Sequence, residues 1–213
     1  MPPIAFWFDW RFEGLEQIPE TGPAIVACNH ISYMDPLSNA YAIVKADRRP
    51  RFLAKEDLFH IPLVGRALKG AGQIPVEREI GDKTAPLRQM MKALTEDQVV
   101  LIYPEGTVTK RPDHRPMEGK TGVVRLSLAT GVPITPMASW GSQAIWQKSG
   151  KGSLKYGRPI WVKAGPPLDF SDRVDQANDH DALKEMTAEV IAALATLVED
   201  MAARYPEAWS SEA

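Results

Sequence analysis

The sequence predicts a single α/β domain, spanning residues 1–213, with a mainly parallel central sheet flanked by helices. From Gly22 onward, short apolar runs alternate with longer stretches of helical character, which is the pattern of a parallel sheet with helical crossovers. The length suits one hydrophobic core, and no repeat, low-complexity tract or linker divides the chain. Both observations favour one compact unit.

Strands are expected where short apolar runs stand between turn residues. The run Ala24–Cys28 contains no polar residue, so a fully buried strand is predicted there. The run at 99–103 is the clearest candidate for a central strand. Further strands are expected at 51–54, 74–77, 134–139 and 160–164.

Helices are expected between these strands. Pro36 is well placed in a first helical turn and opens a predicted helix that ends at residue 46. The stretch 182–203 carries apolar residues along one face, which predicts core packing. Other helices are expected at 58–68, 84–94 and 121–130. The polar segment 104–119 holds three prolines and two glycines, and long loops of this kind often carry function.

Charge and cysteine content exclude several classes of partner. A net charge of −2 and a pI near 6.1 provide no overall attraction to nucleic acid, so no nucleic-acid partner is expected. One cysteine, Cys28, excludes an internal disulfide, and the four histidines lack the spacing of metal ligands, so no metal and no resident cofactor are expected. No apolar run is long enough to predict a membrane-spanning helix.

Two segments are candidates for contact with a membrane surface. The amino-terminal segment 1–21 is rich in aromatic residues, which favour the membrane interface, although they also suit an edge packed on the domain. Five basic residues lie close together and could face anionic lipids or form a solvated loop: Lys45, Arg48, Arg49, Arg51 and Lys55.

His30 and Asp35 follow directly on the first predicted strand. Open α/β sheets bind ligands at the carboxyl ends of their strands, which favours a functional position for His30. A histidine there can act as a general base, and a carboxylate five residues on can bind its other ring N–H and fix the tautomer. The alternative is a structural histidine, with Asp35 capping the helix that follows.

Three other segments carry polar or proline residues at strand ends. Arg78 ends the predicted strand at 74–77 and could bind a phosphate. Glu105 lies in a glycine turn and could bind an acceptor hydroxyl or orient a cation, or could be held by backbone amides. Pro136 stands inside an apolar strand, which predicts an edge strand or a bulge that could aim a backbone N–H at an oxyanion.

Together these segments form four blocks in a fixed order. They read Asn-His-x-x-x-x-Asp from Asn29, Gly-x-Ile-Pro-Val-x-Arg from Gly72, Pro-Glu-Gly-Thr from Pro104 and Val-Pro-Ile-x-Pro from Val132. In this order they resemble the four-block signature of the glycerolipid acyltransferase family, whose best-known members acylate lysophosphatidic acid. The resemblance covers residues 15–168, and four linked blocks are far more specific than any one of them.

The resemblance implies a 1-acylglycerol-3-phosphate O-acyltransferase. Such an enzyme moves an acyl chain from acyl-CoA, a co-substrate, to the free hydroxyl of lysophosphatidic acid and forms phosphatidic acid. His30 would be the general base and Asp35 its orienter. Arg78 and Glu105 would contact the phosphorylated acceptor, Gly106 and Thr107 would shape its pocket, and Pro136 would mark the strand whose backbone helps to stabilise the oxyanion.

The same resemblance implies a place of action and a division of the chain. We expect a peripheral protein on the cytoplasmic face of the cell membrane, with acyl-CoA, lysophosphatidic acid or a related glycerolipid, and the membrane surface as partners. The catalytic core would occupy residues 22–168, after a membrane-proximal segment at 1–21 and before a carboxy-terminal helix at 179–204.

One departure from the family pattern leaves the acceptor open. Many relatives carry an arginine after Glu-Gly-Thr, but this chain has Val108, so Lys55, Lys110 or Lys120 is expected to compensate. Acyl transfer to glycerol-3-phosphate, another lysophospholipid or a glycolipid is therefore an alternative. Hydrolysis of acyl-CoA and a non-catalytic lipid-binding module are two further alternatives.

Overall fold

A computed structural model describes residues 4–76, 85–147 and 149–210. It contains one seven-stranded sheet with helices on both faces, which confirms the predicted α/β class. The strands are β1 Asp9–Glu13, β2 Ala24–Cys28, β3 Pro50–Lys55, β4 Ile74–Val76, β5 Val99–Ile102, β6 Ile134–Trp140 and β7 Pro159–Ala164.

Eight α-helices and three 3₁₀ helices are present in these ranges. The α-helices are α1 Ile4–Trp7, α2 Asp35–Lys45, α3 Asp57–His60, α4 Val64–Gly70, α5 Ala85–Thr95, α6 Gly122–Thr130, α7 His180–Arg204 and α8 Glu207–Ser210. The 3₁₀ helices are η1 Leu15–Gln17, η2 Ser142–Ala144 and η3 Ser171–Gln176. Among these helices, none is both long enough and apolar enough to cross a membrane.

The strand order is β1-β7-β6-β2-β5-β3-β4. All neighbouring pairs are parallel except β6 and β7, so the expected mainly parallel sheet is confirmed. Strands β2, β5 and β6 end at one edge of the sheet. Because β7 runs antiparallel to β6 and β1 runs parallel to β7, β1 and β7 begin at that same edge.

Side chains of the central strands alternate between two cores. In β2, Ile25 and Ala27 pack on the side of α5, α6 and α7, whereas Val26 and Cys28 pack on the side of α2. This alternation follows from the two-residue period of a strand. The apolar face of α7 is buried along its length, which confirms the core role expected of the carboxy-terminal helix. Asp179 caps α7 by accepting bonds from Asp181 N and Ala182 N.

Three sequence predictions need correction. Strand β1 was not expected, and it forms an outermost strand of the sheet, paired with β7. Of the aromatic residues just before it, Phe8 is buried and Phe6 is exposed. The single helix expected at 58–68 is two helices, α3 and α4. The break falls at Ile61, whose backbone is extended because the next residue is a proline.

The third correction concerns Pro136. Strand β6 lies inside the sheet between β7 and β2, so the expected edge or bulge is wrong. The register of β6 with β2 is unbroken, with Pro136 opposite Ala27 and Met137 opposite Cys28. Pairing with β7 starts only at Met137, so the missing N–H of Pro136 removes no bond from that ladder.

Two members of the basic cluster, Arg48 and Arg51, lie away from the edge where β2 ends. Arg48 and Arg51 stand beside the amino-terminal end of β3, which runs parallel to β5. Arg48 donates to the carbonyl oxygens of Pro19, Gly22 and Asp97. Arg51 donates to Gln98 Oε1 and to the carbonyl oxygen of Ala71. Both arginines therefore join loops at the opposite edge, and their placement does not support the membrane contact expected of them.

We expect Arg48→Ala to destabilise the protein without affecting its binding to lipid vesicles. Three carbonyl oxygens lose a charged donor, so the free energy of unfolding should fall by about 1–2 kcal/mol. Denaturant unfolding measures this change, with Arg49→Ala as the matched control, since Arg49 is the exposed neighbour. Normal stability together with weaker vesicle binding would restore a membrane role for Arg48.

Candidate active site

His30 and Asp35 form a hydrogen-bonded pair at the carboxyl end of β2. Strand β2 ends at Cys28, and Asp35 begins α2, so the two side chains face each other across the connecting turn. His30 Nδ1 lies 2.9 Å from Asp35 Oδ2. Because an ionised carboxylate only accepts hydrogen bonds, Nδ1 is the donor to Asp35, and in the neutral ring Nε2 keeps its lone pair. The His30 side chain is 15% exposed, which leaves the ring within reach of a substrate.

The carboxylate of Asp35 is fully buried and surrounded by donors. Oδ2 also accepts bonds from Ile31 N at 2.6 Å and Ser32 N at 2.7 Å. Oδ1 accepts bonds from Ser142 Oγ at 2.6 Å and Ser139 Oγ at 3.3 Å. These donors take the place of the water that the carboxylate loses on burial, and they fix the carboxylate against His30.

Tyr103 supports the other side of the His30 ring. The two ring centroids are 4.5 Å apart. The Tyr103 hydroxyl accepts a bond of 3.1 Å from Asn39 Nδ2, on α2. Burial raises the pKa of Tyr103 well above its ordinary value, so its phenol stays neutral. Tyr103 thus contributes packing and orientation to the site.

Glu105 joins the His30 segment to the long loop at 104–119. Its Oε1 accepts a bond of 2.9 Å from His30 N, and its Oε2 accepts one of 3.0 Å from Met117 N. The residue is only 4% exposed. Burial raises the pKa of Glu105, and the bonds from Met117 and His30 oppose that rise. The geometry matches the alternative in which backbone amides hold this carboxylate, and the expected contact with an acceptor stays a prediction.

Further backbone bonds close the loop onto the site. Thr109 N donates to the His30 carbonyl oxygen at 2.7 Å, and Lys120 N donates to the Pro104 carbonyl oxygen at 2.9 Å. Asn29 exchanges bonds with the backbone of Ser139, at the end of β6. The polypeptide on both sides of His30 is therefore held from neighbouring strands.

The other expected site residues are placed as follows. Gly106 has a φ of 69°, and Lys120 lies against it, since a Cβ at Gly106 would stand 2.9 Å from Lys120 Nζ. Thr107 is half-buried in the same turn, and Val108 is buried. Pro136 is buried in β6, with its carbonyl oxygen bonded to Gly165 N.

Two expected contacts with the substrate cannot be placed. Arg78 lies outside the described residues, and Lys55 ends β3 at a position where only the backbone is described. Lys110 is exposed on the long loop. Within the described ranges, no group of three or more histidine, cysteine or acidic side chains is arranged to hold a metal ion.

Sequence analysis did not identify Ser139, Ser142, Asn29 or Tyr103 as parts of the site. Ser139 lies near the end of β6 and Ser142 just beyond it, at the same sheet edge as His30. A search for small hydroxyl residues at the carboxyl ends of predicted strands would have found both serines. Asn29 directly follows β2, and Tyr103 directly follows β5. A search for polar residues of any size at strand ends would therefore have found these two as well.

The family model for acyltransferases matches residues 9–140, more than half of the chain and all of the segment that carries His30, Asp35 and Glu105. The chain belongs to the acyltransferase family. This result confirms the family expected from the four sequence blocks.

Individual relatives of this acyltransferase agree with that assignment. The chloroplastic 1-acyl-sn-glycerol-3-phosphate acyltransferase of Arabidopsis thaliana is 30% identical over 149 residues, which cover 69% of this chain and 40% of the relative. The chain thus aligns with less than half of that relative's length. The 1-acyl-sn-glycerol-3-phosphate acyltransferase of Bacillus subtilis is 28% identical over 147 residues, which cover 68% of this chain and 70% of the relative.

A solved structure shows the same fold. The crystal structure of the 1-acyl-sn-glycerophosphate acyltransferase PlsC from Thermotoga maritima superposes with a TM-score of 0.70 at 26% sequence identity. The match covers 95% of this acyltransferase and 76% of the PlsC chain.

We expect Asp35→Asn to lower acyl transfer by roughly 10³–10⁴-fold. The asparagine amide can offer an N–H to His30 Nδ1 and thereby favour the wrong ring tautomer. The measurement is turnover of folded protein, with Asp172→Asn as the matched control on exposed η3. Turnover within a few-fold of wild type would show that Asp35 does not orient His30.

We expect Glu105→Gln to lower turnover at least about tenfold, because small displacements of catalytic groups are costly. Glutamine has one acceptor oxygen, so either His30 N or Met117 N loses its partner. Glu118→Gln is the matched control, since Glu118 is exposed on the same loop. Equal turnover in both variants would remove the bracing role of Glu105.

The raised pKa of Glu105 predicts a pH dependence of stability. The folded protein holds this proton more tightly than the unfolded chain, so stability falls as the pH rises from 4.5, the ordinary value, through the raised pKa. Glu105→Gln lacks this titration. The unfolding free energy of wild type, relative to that of the variant, should decline over this window in denaturant titrations at successive pH values. A rising difference would contradict the assignment.

Proposed function

We propose that this enzyme transfers an acyl chain from acyl-CoA to the free hydroxyl of lysophosphatidic acid and forms phosphatidic acid. The observation that carries the proposal is the pair of His30 and Asp35 at 2.9 Å, with Nε2 of His30 left to accept a proton. The Arabidopsis and Bacillus relatives are both named as 1-acyl-sn-glycerol-3-phosphate acyltransferases, which supports this acceptor.

In this mechanism His30 Nε2 removes the proton from the acceptor hydroxyl as its oxygen attacks the thioester carbonyl. A carbon–oxygen bond forms, and the carbonyl oxygen becomes an oxyanion. Collapse of this intermediate breaks the carbon–sulfur bond, and the thiolate leaves and takes the proton from His30. The buried carboxylate of Asp35 stabilises the imidazolium in between.

Direct transfer to the acceptor is favoured over an acyl-cysteine intermediate. Cys28 is buried in β2, and its side chain packs in the core on the α2 side of the sheet. Burial raises the pKa of the Cys28 thiol well above its ordinary value, so the nucleophilic thiolate is suppressed. The acceptor hydroxyl therefore attacks the thioester directly, without an acyl-cysteine intermediate.

Recognition of the phosphate is assigned to Lys120 and Arg78. Lys120 lies against Gly106, the residue that follows Glu105, and Lys120 N donates to the Pro104 carbonyl oxygen. Arg78 is proposed on the family pattern alone. Val108 is buried where many relatives carry an arginine, and this observation favours testing a second candidate acceptor: glycerol-3-phosphate, another lysophospholipid or a glycolipid.

The place of action is proposed to be the cytoplasmic face of the cell membrane, with peripheral attachment. The acceptor carries an acyl chain that resides in a bilayer, and the described part of the chain exposes several aromatic side chains, among them Trp7 and Trp146. The donor carrier is proposed to be CoA, and the same assay with acyl-(acyl carrier protein) compares the two carriers.

We expect His30→Ala to lose at least about 100-fold in turnover, because general base catalysis supplies that much or more. The assay follows labelled palmitoyl-CoA and lysophosphatidic acid in detergent and identifies phosphatidic acid as product. His60→Ala, which removes an exposed histidine from α3, is the matched control.

Three outcomes would overturn parts of the proposal. Near-normal turnover of folded His30→Ala rejects the general base. Thioester loss that releases free fatty acid identifies a hydrolase. Thioester loss that needs another acceptor in a panel of glycerol-3-phosphate, lysophospholipids and glycolipids replaces lysophosphatidic acid as the substrate.

A further inference from the structure

A group of five large side chains is exposed near the active site. These residues are 44–72% exposed and are here named the interfacial patch: Trp7, Tyr33, Trp146, Leu154 and Tyr156. Contiguous exposed apolar patches on soluble proteins often mark a surface that binds a partner or a membrane. Four of the five are Trp or Tyr, residues with an apolar body and a polar atom at the edge.

Direct contacts form two groups within the patch. The rings of Trp7 and Tyr156 are 5.6 Å apart, and Trp7 Nε1 donates to the Leu154 carbonyl oxygen at 2.8 Å. The rings of Tyr33 and Trp146 are also 5.6 Å apart, and Tyr33 N donates to the Trp146 carbonyl oxygen at 3.1 Å.

A buried cluster beneath the patch connects the two groups. It contains Phe8, Met34, Ile145 and Ile160. The first three are chain neighbours of Trp7, Tyr33 and Trp146, respectively, so the exposed rings surround one common base. The patch is therefore one surface supported by packed side chains.

The patch lies at the same sheet edge as His30. Trp7 and Tyr156 precede β1 and β7, and both strands begin where β6 ends, as shown by the pairing of Trp140 with Trp161. The carbonyl oxygen of Trp146 also accepts the Ser32 hydroxyl at 2.8 Å, within the turn that joins His30 to Asp35. The basic cluster around Arg48 stands at the opposite edge.

We propose that the interfacial patch is the surface by which this enzyme rests on a lipid bilayer, so that the sheet edge that carries His30 faces the membrane. The inference rests on the proposed function, since only a lipid acceptor requires this orientation. Trp and Tyr rings concentrate at the boundary between acyl chains and head groups. Lys151 and Lys155 are exposed in the segment that carries Leu154, which suits an anionic lipid surface.

The test is flotation with mixed phosphatidylcholine–phosphatidylglycerol vesicles. The double variant Leu154→Ser with Tyr156→Ser should bind vesicles at least about tenfold more weakly, since two apolar side chains no longer enter the lipid. A separate Trp146→Ser variant should weaken binding in the same direction. Val174→Ser is the matched control, because Val174 is 49% exposed on η3. This 3₁₀ helix packs on α6, on the face of the sheet that carries α5, α6 and α7.

Two further arms separate this inference from the proposed function. His30→Ala should float with vesicles as well as wild type does, since it changes chemistry and not the surface. The double variant should keep its turnover within about twofold when substrates are dispersed in detergent, because Leu154 and Tyr156 contact Trp7 and take no part in the hydrogen bonds around His30 and Asp35. Vesicle binding without any product would reject the proposed function and leave the docking surface intact.

Several results would overturn the docking surface. These are a wild-type protein that does not float, a double variant that floats normally, and a Val174→Ser control that loses binding equally. Self-association of wild type that disappears in the double variant, without vesicle binding, would identify the patch as an interface between two copies of the chain. Sedimentation analysis of both proteins without vesicles measures this last outcome.

Discussion

Asp35 accepts hydrogen bonds from His30 Nδ1, from two backbone amides of the turn between His30 and Asp35, and from the hydroxyls of Ser139 and Ser142. The carboxylate is fully buried, so each donor offsets part of the free energy of removing it from water. The same set of bonds closes the turn, orients the His30 ring and joins β2 to the segment after β6. Fold and chemistry meet in this one carboxylate.

The sheet order brings the remaining groups to that carboxylate. Parallel β2, β5 and β6 deliver His30, Glu105 and Ser139 to one edge, and neighbouring strands place them side by side. The antiparallel step from β6 to β7 then returns the chain so that β7 and β1 start at the same edge. One reversal in an otherwise parallel sheet therefore sets exposed aromatic side chains beside the active site.

The sequence was most informative where a local pattern decides the structure. Uninterrupted apolar runs located β2 and β5, and the spacing of His30 and Asp35 indicated their contact. Contacts between distant segments were less accessible: Arg48 was expected at a membrane but binds three carbonyl oxygens from two other loops. Pro136 suggested an edge strand because it has no N–H for a sheet hydrogen bond. The sequence around it does not show that pairing with β7 begins only at the next residue, Met137.

The carboxylate of Glu105 binds the far end of the long loop at the backbone amide of Met117, and not at the Met117 side chain. Thr109 likewise binds the His30 carbonyl oxygen through its own amide. Between these two anchors, residues 110–116 are attached to the site by main-chain groups that every amino acid except proline possesses. Mutation can therefore change the side chains of this stretch during evolution while the main-chain bonds that hold it beside His30 stay intact.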